Sequence, residues 1–171
     1  AALAGATMGT TWSARMALPA GLAEASARQA VQAALDAVVA QMSTWEADSD
    51  ITRYNQAGPG WQAISAEFFH VLRHALLLAD DSGGAYDPTV GPLVNAWGFG
   101  PHQRAFEPPS PAAIEAARAR CGWQRVALDE AGQAVHQPGG VYLDLSSIAK
   151  GYGVDRAAMA LDALGVANFL V

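Results

Sequence analysis

The sequence predicts an α+β fold in which a mixed sheet is flanked by helices. Three observations support this class. Apolar residues recur at helical spacing over residues 22–42 and again behind Ser65. Short β-favouring segments, one of them a hairpin pattern, lie between the helical ones. The final part of the chain reads strand, helix, strand, an order typical of a parallel or mixed sheet with a crossover.

The first half of the chain contains one predicted strand and two predicted helices. The β-favouring residues 10–18 predict a strand, and residues 22–42 predict an amphipathic helix. A polar, aromatic-bearing loop is predicted over residues 43–55. Ser65 is a favourable N-cap for the second helix, which is expected to stop near the Ser-Gly-Gly run at residues 82–84.

The second half begins with a functional loop region and continues with regular elements. Residues 84–109 are rich in Gly, Pro and aromatic residues, which predicts a shaped loop with a short helix over residues 88–97. Ser110 before a proline, with Gly122 after an Ala-rich stretch, predicts a third helix. The remaining predicted elements are a hairpin over residues 126–136, a strand over 141–145, a helix over 147–164 and a strand over 168–171.

Composition narrows the classes of function. Half of the residues are apolar, which permits a sizeable core and excludes a disordered chain. The net charge is −6 and the ten Lys and Arg residues are scattered, so we expect no nucleic-acid partner. A pyrophosphate ligand on so acidic a protein needs local help from a metal ion or helix-terminal amides. The lone Cys121 excludes an internal disulfide. His70 and His74 are four residues apart on a predicted helix but lack an HExxH pattern, so no metal site is predicted and they are interpreted as surface or satisfied residues.

The strongest candidate cluster lies around residues 144–152. Asp144 follows a predicted strand, serines open the next helix, and Lys150 lies in its first turn. Helix-terminal N–H groups and an ammonium group together suit a phosphorylated ligand. The alternative is structural, with a serine that only caps the helix and with Lys150 that only faces solvent or pairs with Asp144.

Two further clusters have weaker signals. Residues 83–93 form a turn before a Pro-initiated short helix, which would place Asp87 against a polar ligand, although an ordinary capped helix start has the same pattern. Met8 and Trp45 are suitable partners for an isoalloxazine or adenine ring. Core packing is the alternative explanation for both of these side chains.

Taken in order, these segments resemble the ApbE family of FAD:protein FMN transferases. The matching segments are residues 7–12, 42–45, 49–51, 53–55, 84–94, 97–100 and 144–155. The ordered set is highly specific and covers nearly the whole chain. It implies an ApbE-like, T-fold-related fold in which residues 1–171 form the N-terminal portion of a single domain. The apolar strand at residues 168–171 stops without turn residues, so we expect that the domain is cut at its C-terminus.

The resemblance also implies an activity and a ligand set. FAD is the substrate, and the FMN half passes with the help of Mg²⁺ to a Thr or Ser hydroxyl on flavoprotein subunits of ion-pumping redox complexes, releasing AMP. The alternatives are an FAD pyrophosphatase that gives FMN and AMP, and a non-catalytic flavin-binding module. The implied FAD contacts are Met8, Trp45, Ala85, Tyr86, Asp87, Asp144 and Lys150, and the implied magnesium ligand is Ser147.

The resemblance leaves the catalytic residues unknown, and they are expected in the missing C-terminal half. The chain alone is therefore expected to bind FAD weakly and to transfer nothing. The implied location is the periplasmic side of the inner membrane, with a lipid anchor outside this sequence.

Overall fold

A computed structural model describes residues 1–101 and 107–171 and has the predicted α+β class. Residues 102–106, which lie within the predicted loop region, are outside the described part. The elements in chain order are β1 (Ala2–Thr7), β2 (Thr10–Met16), α1 (Glu24–Met42), α2 (Asp50–Gln56), β3 (Gly60–Ala63), α3 (Ala66–Asp81), α4 (Gly91–Ala96), α5 (Pro111–Arg118), β4 (Ala127–Asp129), β5 (Ala134–Gln137), α6 (Ser146–Ala163) and β6 (Phe169–Leu170). None of the helices in these described ranges is long and apolar enough to cross a bilayer.

The chain forms two compact units, one made of Ala1–Ala40 with Ser147–Val171 and the other of Gln41–Ser146. The first unit contains a sheet in the order β1-β2-β6, and the second contains a sheet in the order β3-β5-β4. All the strand pairs in the described residues are antiparallel. The parallel crossover predicted for the end of the chain is therefore wrong, since β6 after α6 pairs antiparallel with β2.

The first unit is built around a hairpin with a two-residue turn. β1 and β2 pair up to Thr7 and Thr10, so Met8 and Gly9 alone make the turn. Both have positive φ, 49° and 69°, as a type I′ turn requires. The hairpin's inner face packs with α1 and α6 in a core made of Leu3, Trp12, Ala14, Met16, Ala27, Val31, Leu35, Ala157, Leu161 and Val166.

Polar side chains of α1 contact strand β1, which the sequence did not predict. The Gln32 amide donates to the carbonyl of Ala6 (3.1 Å), and the Arg28 guanidinium donates to the carbonyl of Ala4. Gln32 also accepts the indole N–H of Trp12 at 2.8 Å. This face of α1 therefore binds the outer strand of the sheet.

The second unit confirms most predicted elements and adds two. α3 begins after Ser65 and ends before Ser82, and α5 begins after the Ser110 cap, whose hydroxyl accepts Ala113 N–H. The predicted hairpin is present as β4 and β5. The predicted loop over residues 43–55 contains α2, and β3 was not predicted. Both missed elements are short, so they carry little periodicity.

Residues 141–145 are not a strand, contrary to the prediction from their apolar pattern. Side chains satisfy their backbone groups instead. The Asn55 amide accepts from Leu143 N (2.7 Å) and donates to Leu143 O (2.9 Å). The amide of the fully buried Gln137 accepts a hydrogen bond from Val141 N (3.2 Å) and donates one to Val141 O (3.0 Å). The side chains of Val141, Leu143 and Leu145 are buried, but the backbone partners here are side-chain amides rather than a neighbouring strand.

Candidate functional site

The predicted ligand loop before α4 is closed by a carboxylate. Oδ1 of Asp87 accepts the backbone N–H of Thr89 at 2.8 Å and its hydroxyl at 2.7 Å. Thr89 is fully buried, and its Oγ1 accepts Gly122 N–H at 2.7 Å. Asp87 therefore shapes this loop rather than capping α4, whose N-cap position is Val90. The structural alternative of an ordinary turn thus accounts for this oxygen of Asp87, although Asp87 is not the cap of the helix.

The same carboxylate affects the cysteine that follows α5. Cys121 is partly buried, and its thiol donates to Ala117 O at 3.4 Å. Burial raises the pKa of the Cys121 thiol, and the negative charge of Asp87 raises it further. The neutral thiol is therefore the stable form at neutral pH, and this cysteine is structural.

A backbone hydrogen bond joins two of the predicted FAD-contact segments. Asp144 N–H donates to the carbonyl of Pro88 at 2.8 Å, so the segment that leads into α6 lies against the Asp87 loop. Gly91 makes this approach possible. A Cβ at Gly91 would lie 2.8 Å from Cε1 and 3.1 Å from the carbonyl oxygen of Tyr142, which leaves no room for a side chain.

The neighbouring Ala85 and Tyr86 follow the end of α3. Gly83 and Gly84 have positive φ there, 60° and 82°, and turn the chain out of the helix. The hydroxyl of Ser82 accepts Tyr86 N–H at 3.1 Å. The Ala85 side chain is exposed and Tyr86 is half-buried. The second unit thus brings Ala85, Tyr86, Asp87 and Asp144 together in one region.

The aromatic candidate Trp45 lies on an ordered loop of the second unit. The Ser43 hydroxyl accepts Trp45 N–H at 3.2 Å, and the buried Ser49 donates to Ser43 O at 2.6 Å. Trp45 itself is 55 % exposed, so the core-packing alternative is wrong for this residue. A large, exposed apolar ring on a fixed backbone is suited to stacking on a planar ligand.

The other apolar candidate, Met8, belongs to the first unit. It lies in the left-handed region at the hairpin turn, where a non-glycine residue is strained. Its side chain packs at the edge of the unit's core, and a Cβ at Gly153 of α6 would lie 3.0 Å from its Cε. For Met8, therefore, core packing accounts for part of the side chain.

The start of α6 has the polarity that a phosphate group requires. Oδ1 of Asp144 accepts Ser146 N–H at 2.8 Å, so Asp144 caps the helix, not the hydroxyl of Ser146 or Ser147. Ser147 and Lys150 are exposed in the first turn and a half. In the part of the chain that the structure describes, Lys150 makes no ion pair, and it is the only lysine in the sequence. The pairing of Lys150 with Asp144, which was part of the structural alternative, is not among the ion pairs of the described residues.

Three positioning residues were missed at the sequence level. Asn55 and Gln137 bond backbone groups of Leu143 and Val141, shortly before Asp144, and the Thr89 hydroxyl connects Asp87 to Gly122. Asn55 and Thr89 do lie within the segments that resemble the family. The partners of Asn55 and Gln137 are backbone groups, some of them 88 residues away, and no local pattern identifies such pairs.

The oxygen donors at this site suit a hard cation only in part. Asp144 offers a carboxylate and Ser147 a hydroxyl, which are the ligand types that Mg²⁺ prefers. Within residues 1–101 and 107–171, no three His, Cys, Asp or Glu side chains group together to hold a metal ion. Each of these two residues therefore offers an oxygen that Mg²⁺ could use, and neither belongs to a complete protein ligand set among the described residues.

The exposed Lys150 is suited to a phosphate group and the exposed Trp45 to a planar ring, so these side chains favour the broad class of ligand-binding proteins. Comparison with known proteins narrows the class. A sequence model described as the ApbE family matches residues 8–171. The FAD:protein FMN transferase of Haemophilus influenzae is 38 % identical over 99 % of this chain and 51 % of its own length. The chain belongs to the ApbE family.

Solved structures agree with this assignment. The flavin transferase ApbE from Vibrio cholerae is 36 % identical with a TM-score of 0.93, over 99 % of this chain and 55 % of that one. The flavinyl transferase ApbE of Pseudomonas stutzeri, in its apo form, is 35 % identical with a TM-score of 0.91, over 99 % and 54 %. The ApbE-like fold is therefore confirmed. The chain spans about half the length of the curated relatives that it matches.

Proposed function

We propose that this chain supplies FAD-binding residues of an FAD:protein FMN transferase. The observation that carries the proposal is the 2.8 Å bond from Asp144 N to Pro88 O, which joins two segments expected to contact FAD. The names of the relatives support the activity. The proposed contacts are Met8, Trp45, Ala85, Tyr86, Asp87, Asp144 and Lys150, with Ser147 as a magnesium ligand.

The proposed reaction transfers the FMN part of FAD to a protein hydroxyl group through its phosphate. A Thr or Ser hydroxyl of an acceptor protein attacks the FAD phosphorus nearer the flavin. A new O–P bond forms, the bond between that phosphorus and the bridging oxygen breaks, and AMP leaves with the electron pair. The hydroxyl proton passes to a general base, and no residue of this chain is assigned that role. Catalysis of this type depends mainly on positioning and on electrostatic stabilisation.

The residues of this chain would hold the pyrophosphate. The ammonium group of Lys150 offers a full positive charge, and the first-turn amides of α6 offer partial ones. Mg²⁺, when bound, would neutralise charge on the phosphate oxygens. Asp144 supplies a fixed carboxylate, because its Oδ1 is already bonded to Ser146 N–H. Trp45 would stack on a ring of the dinucleotide.

The acceptor and the location remain part of the proposal. Flavoprotein subunits of ion-pumping redox complexes are the proposed acceptors, and a lipid-anchored position on the periplasmic side of the inner membrane is the proposed site of action. Mass spectrometry of an acceptor domain, incubated with FAD, Mg²⁺ and the complete protein, tests the activity. An acceptor heavier by one FMN supports transfer. Free FMN with AMP indicates a pyrophosphatase, and unchanged FAD indicates a binding module; either result would overturn the proposed transferase.

The single lysine allows a direct test of the binding site. An amine-acetylating reagent should modify Lys150, which is exposed, and peptide mass spectrometry measures the extent. FAD with Mg²⁺ should slow this modification strongly. Riboflavin, which has the same flavin ring but no phosphate, should not slow it. Equal rates with and without FAD would place Lys150 outside the site.

Substitutions in the complete protein test the proposed contacts. Lys150→Ala should weaken FAD binding at least about tenfold, since it removes a charged contact worth roughly 1.5–3 kcal/mol. Asp144→Ala should also weaken FAD binding, because it removes both a proposed ligand contact and the carboxylate that caps α6. Arg118→Ala is the matched control, because this exposed cation lies on α5 and pairs with Glu115. Calorimetry that shows equal FAD affinity in all three variants would refute the site assignment.

A further inference from the structure

The exposed face of α3 carries a pair of histidines that the proposed function does not use. His70 and His74 are four residues apart on this 16-residue helix, and both are exposed. Their ring centroids are 4.4 Å apart with a tilt of 49° between the planes. Residues four apart lie one above the other on a helix, so both rings project from the same strip of surface.

A hydrogen bond fixes the orientation and tautomer of the second ring. Nδ1 of His74 lies 2.9 Å from the carbonyl oxygen of His70. A carbonyl only accepts hydrogen bonds, so Nδ1 is the donor here, and in the neutral ring Nε2 is then the nitrogen with the lone pair. Metal-binding histidines commonly show this arrangement, in which the second ring nitrogen donates to a backbone carbonyl.

The helix beneath the pair is a rigid support. Its opposite face is fully packed, with buried side chains at Phe68, Phe69, Val71, Leu72, Ala75 and Ala79. The neighbouring cation, Arg73, is directed to Glu130, with 3.0 Å between its Nε and the Glu130 carboxylate. A two-histidine chelate on such a helix needs little movement of the backbone to bind a metal ion.

We propose that His70 and His74 form a surface site for a divalent transition-metal ion such as Zn²⁺, Ni²⁺ or Cu²⁺. Imidazole nitrogens suit these ions, whereas Mg²⁺ prefers oxygen, so this site is distinct from the magnesium ligands of the proposed reaction. Among the described residues no third His, Cys, Asp or Glu completes a cluster, so water fills the other positions. Cu²⁺ should bind more tightly than Ni²⁺ or Zn²⁺.

Calorimetric titration of the untagged chain with ZnCl₂, NiCl₂ and CuCl₂ tests this site. One equivalent of each metal should bind, and MgCl₂ at the same concentration should not compete. His70→Ala and His74→Ala should each weaken binding at least about tenfold, because either change removes one of two protein ligands. Both are exposed helix positions where Ala is favourable, so the variants should fold, which circular dichroism checks.

His136→Ala is the matched control, because His136 lies on β5 with its ring against Trp61. It should bind Zn²⁺ as the unmodified chain does. Equal Zn²⁺ affinity in the unmodified chain and in both α3 variants would overturn the proposal. So would loss of Zn²⁺ binding in the His136 variant alone. Neither result depends on FAD, so the proposed transferase function stands or falls separately.

Discussion

Asn55→Ala should destabilise the chain by disconnecting residues 141–145 from α2. Leu143 is fully buried, and both its N–H and its C=O are bonded by the Asn55 amide at 2.7 and 2.9 Å. An unsatisfied buried backbone group costs roughly 1–3 kcal/mol, so losing both partners costs about 2–4 kcal/mol after partial relaxation. For a chain of this size, this corresponds to a fall of roughly 5–15 °C in Tm.

Thermal unfolding followed by circular dichroism measures the effect. Gln56→Ala is the matched control, because Gln56 is the next residue of α2 and is exposed. The control should melt within about 1 °C of the unmodified chain, as surface substitutions usually do. If Asn55→Ala also melts within about 1 °C of the unmodified chain, the Asn55 amide does not hold residues 141–145 in place, and the reasoning is refuted.

The same substitution has a second expected effect. Asp144 follows Leu143 directly, so a loosened segment should misplace its carboxylate and weaken FAD binding by the complete protein. Gln56→Ala should leave FAD affinity unchanged. A variant that is destabilised but binds FAD normally would show that Asn55 stabilises the fold without positioning the site.

Three further predictions concern packing and ionisation. Gly91→Ala should lower the free energy of unfolding by about 1–3 kcal/mol in a urea titration, because the new Cβ meets Tyr142. Gly58→Ala is the control, since a Cβ there has open space around it. An unchanged urea midpoint for Gly91→Ala would contradict the close approach to Tyr142. Burial raises the pKa of Tyr54 above its ordinary value, so its stabilising contribution is complete below about pH 10 and is lost at higher pH. Absorbance at 295 nm should show a delayed ionisation that shrinks in Tyr54→Phe, and an identical titration in that variant would exclude Tyr54. The Cys121 thiol should react slowly with a disulfide reagent at pH 8, and faster in a denatured sample; equal rates would mean that it is not protected.

Local patterns predicted the helices well. α1 was predicted from its helical periodicity, α3 from periodicity behind Ser65, and α5 from Ser110, the following proline and Gly122. Ser65 does occupy the N-cap position of α3, but its hydroxyl donates to the Gln41 amide oxygen and not to the helix. β1 was missed because Ala and Gly dominate it, and these residues have little preference for strands. Its stability comes from pairing with β2 and from two side chains of α1, which only the folded chain brings together.

The apolar run at residues 141–145 shows where such reasoning ends. Buried, extended backbone has the same sequence pattern whether its partner is a strand or a side-chain amide. The partner here is Asn55, 88 residues earlier, so the distinction lies in tertiary structure.

For the candidate site, the sequence predicted a set of chemical groups but not the hydrogen bonds that hold their backbone in place. The exposed Lys150 and Trp45 agree with roles toward a ligand, and both had a structural alternative at the sequence level. The role of Asp87 in closing its own loop through Thr89 could not be predicted, because Asp before Pro is common in many turns. Which of these side chains contact FAD stays a prediction.

The contacts between α1 and β1 have a consequence for behaviour at high concentration. An outer strand with open carbonyls is a template on which a second molecule can add its own strand. The carbonyls of Ala4 and Ala6 lie on one edge of β1, and Arg28 and Gln32 already occupy them. Helix α1 thus blocks this edge of the sheet against addition of a strand from a second molecule. This protects the edge from aggregation without a charge or a proline in β1 itself.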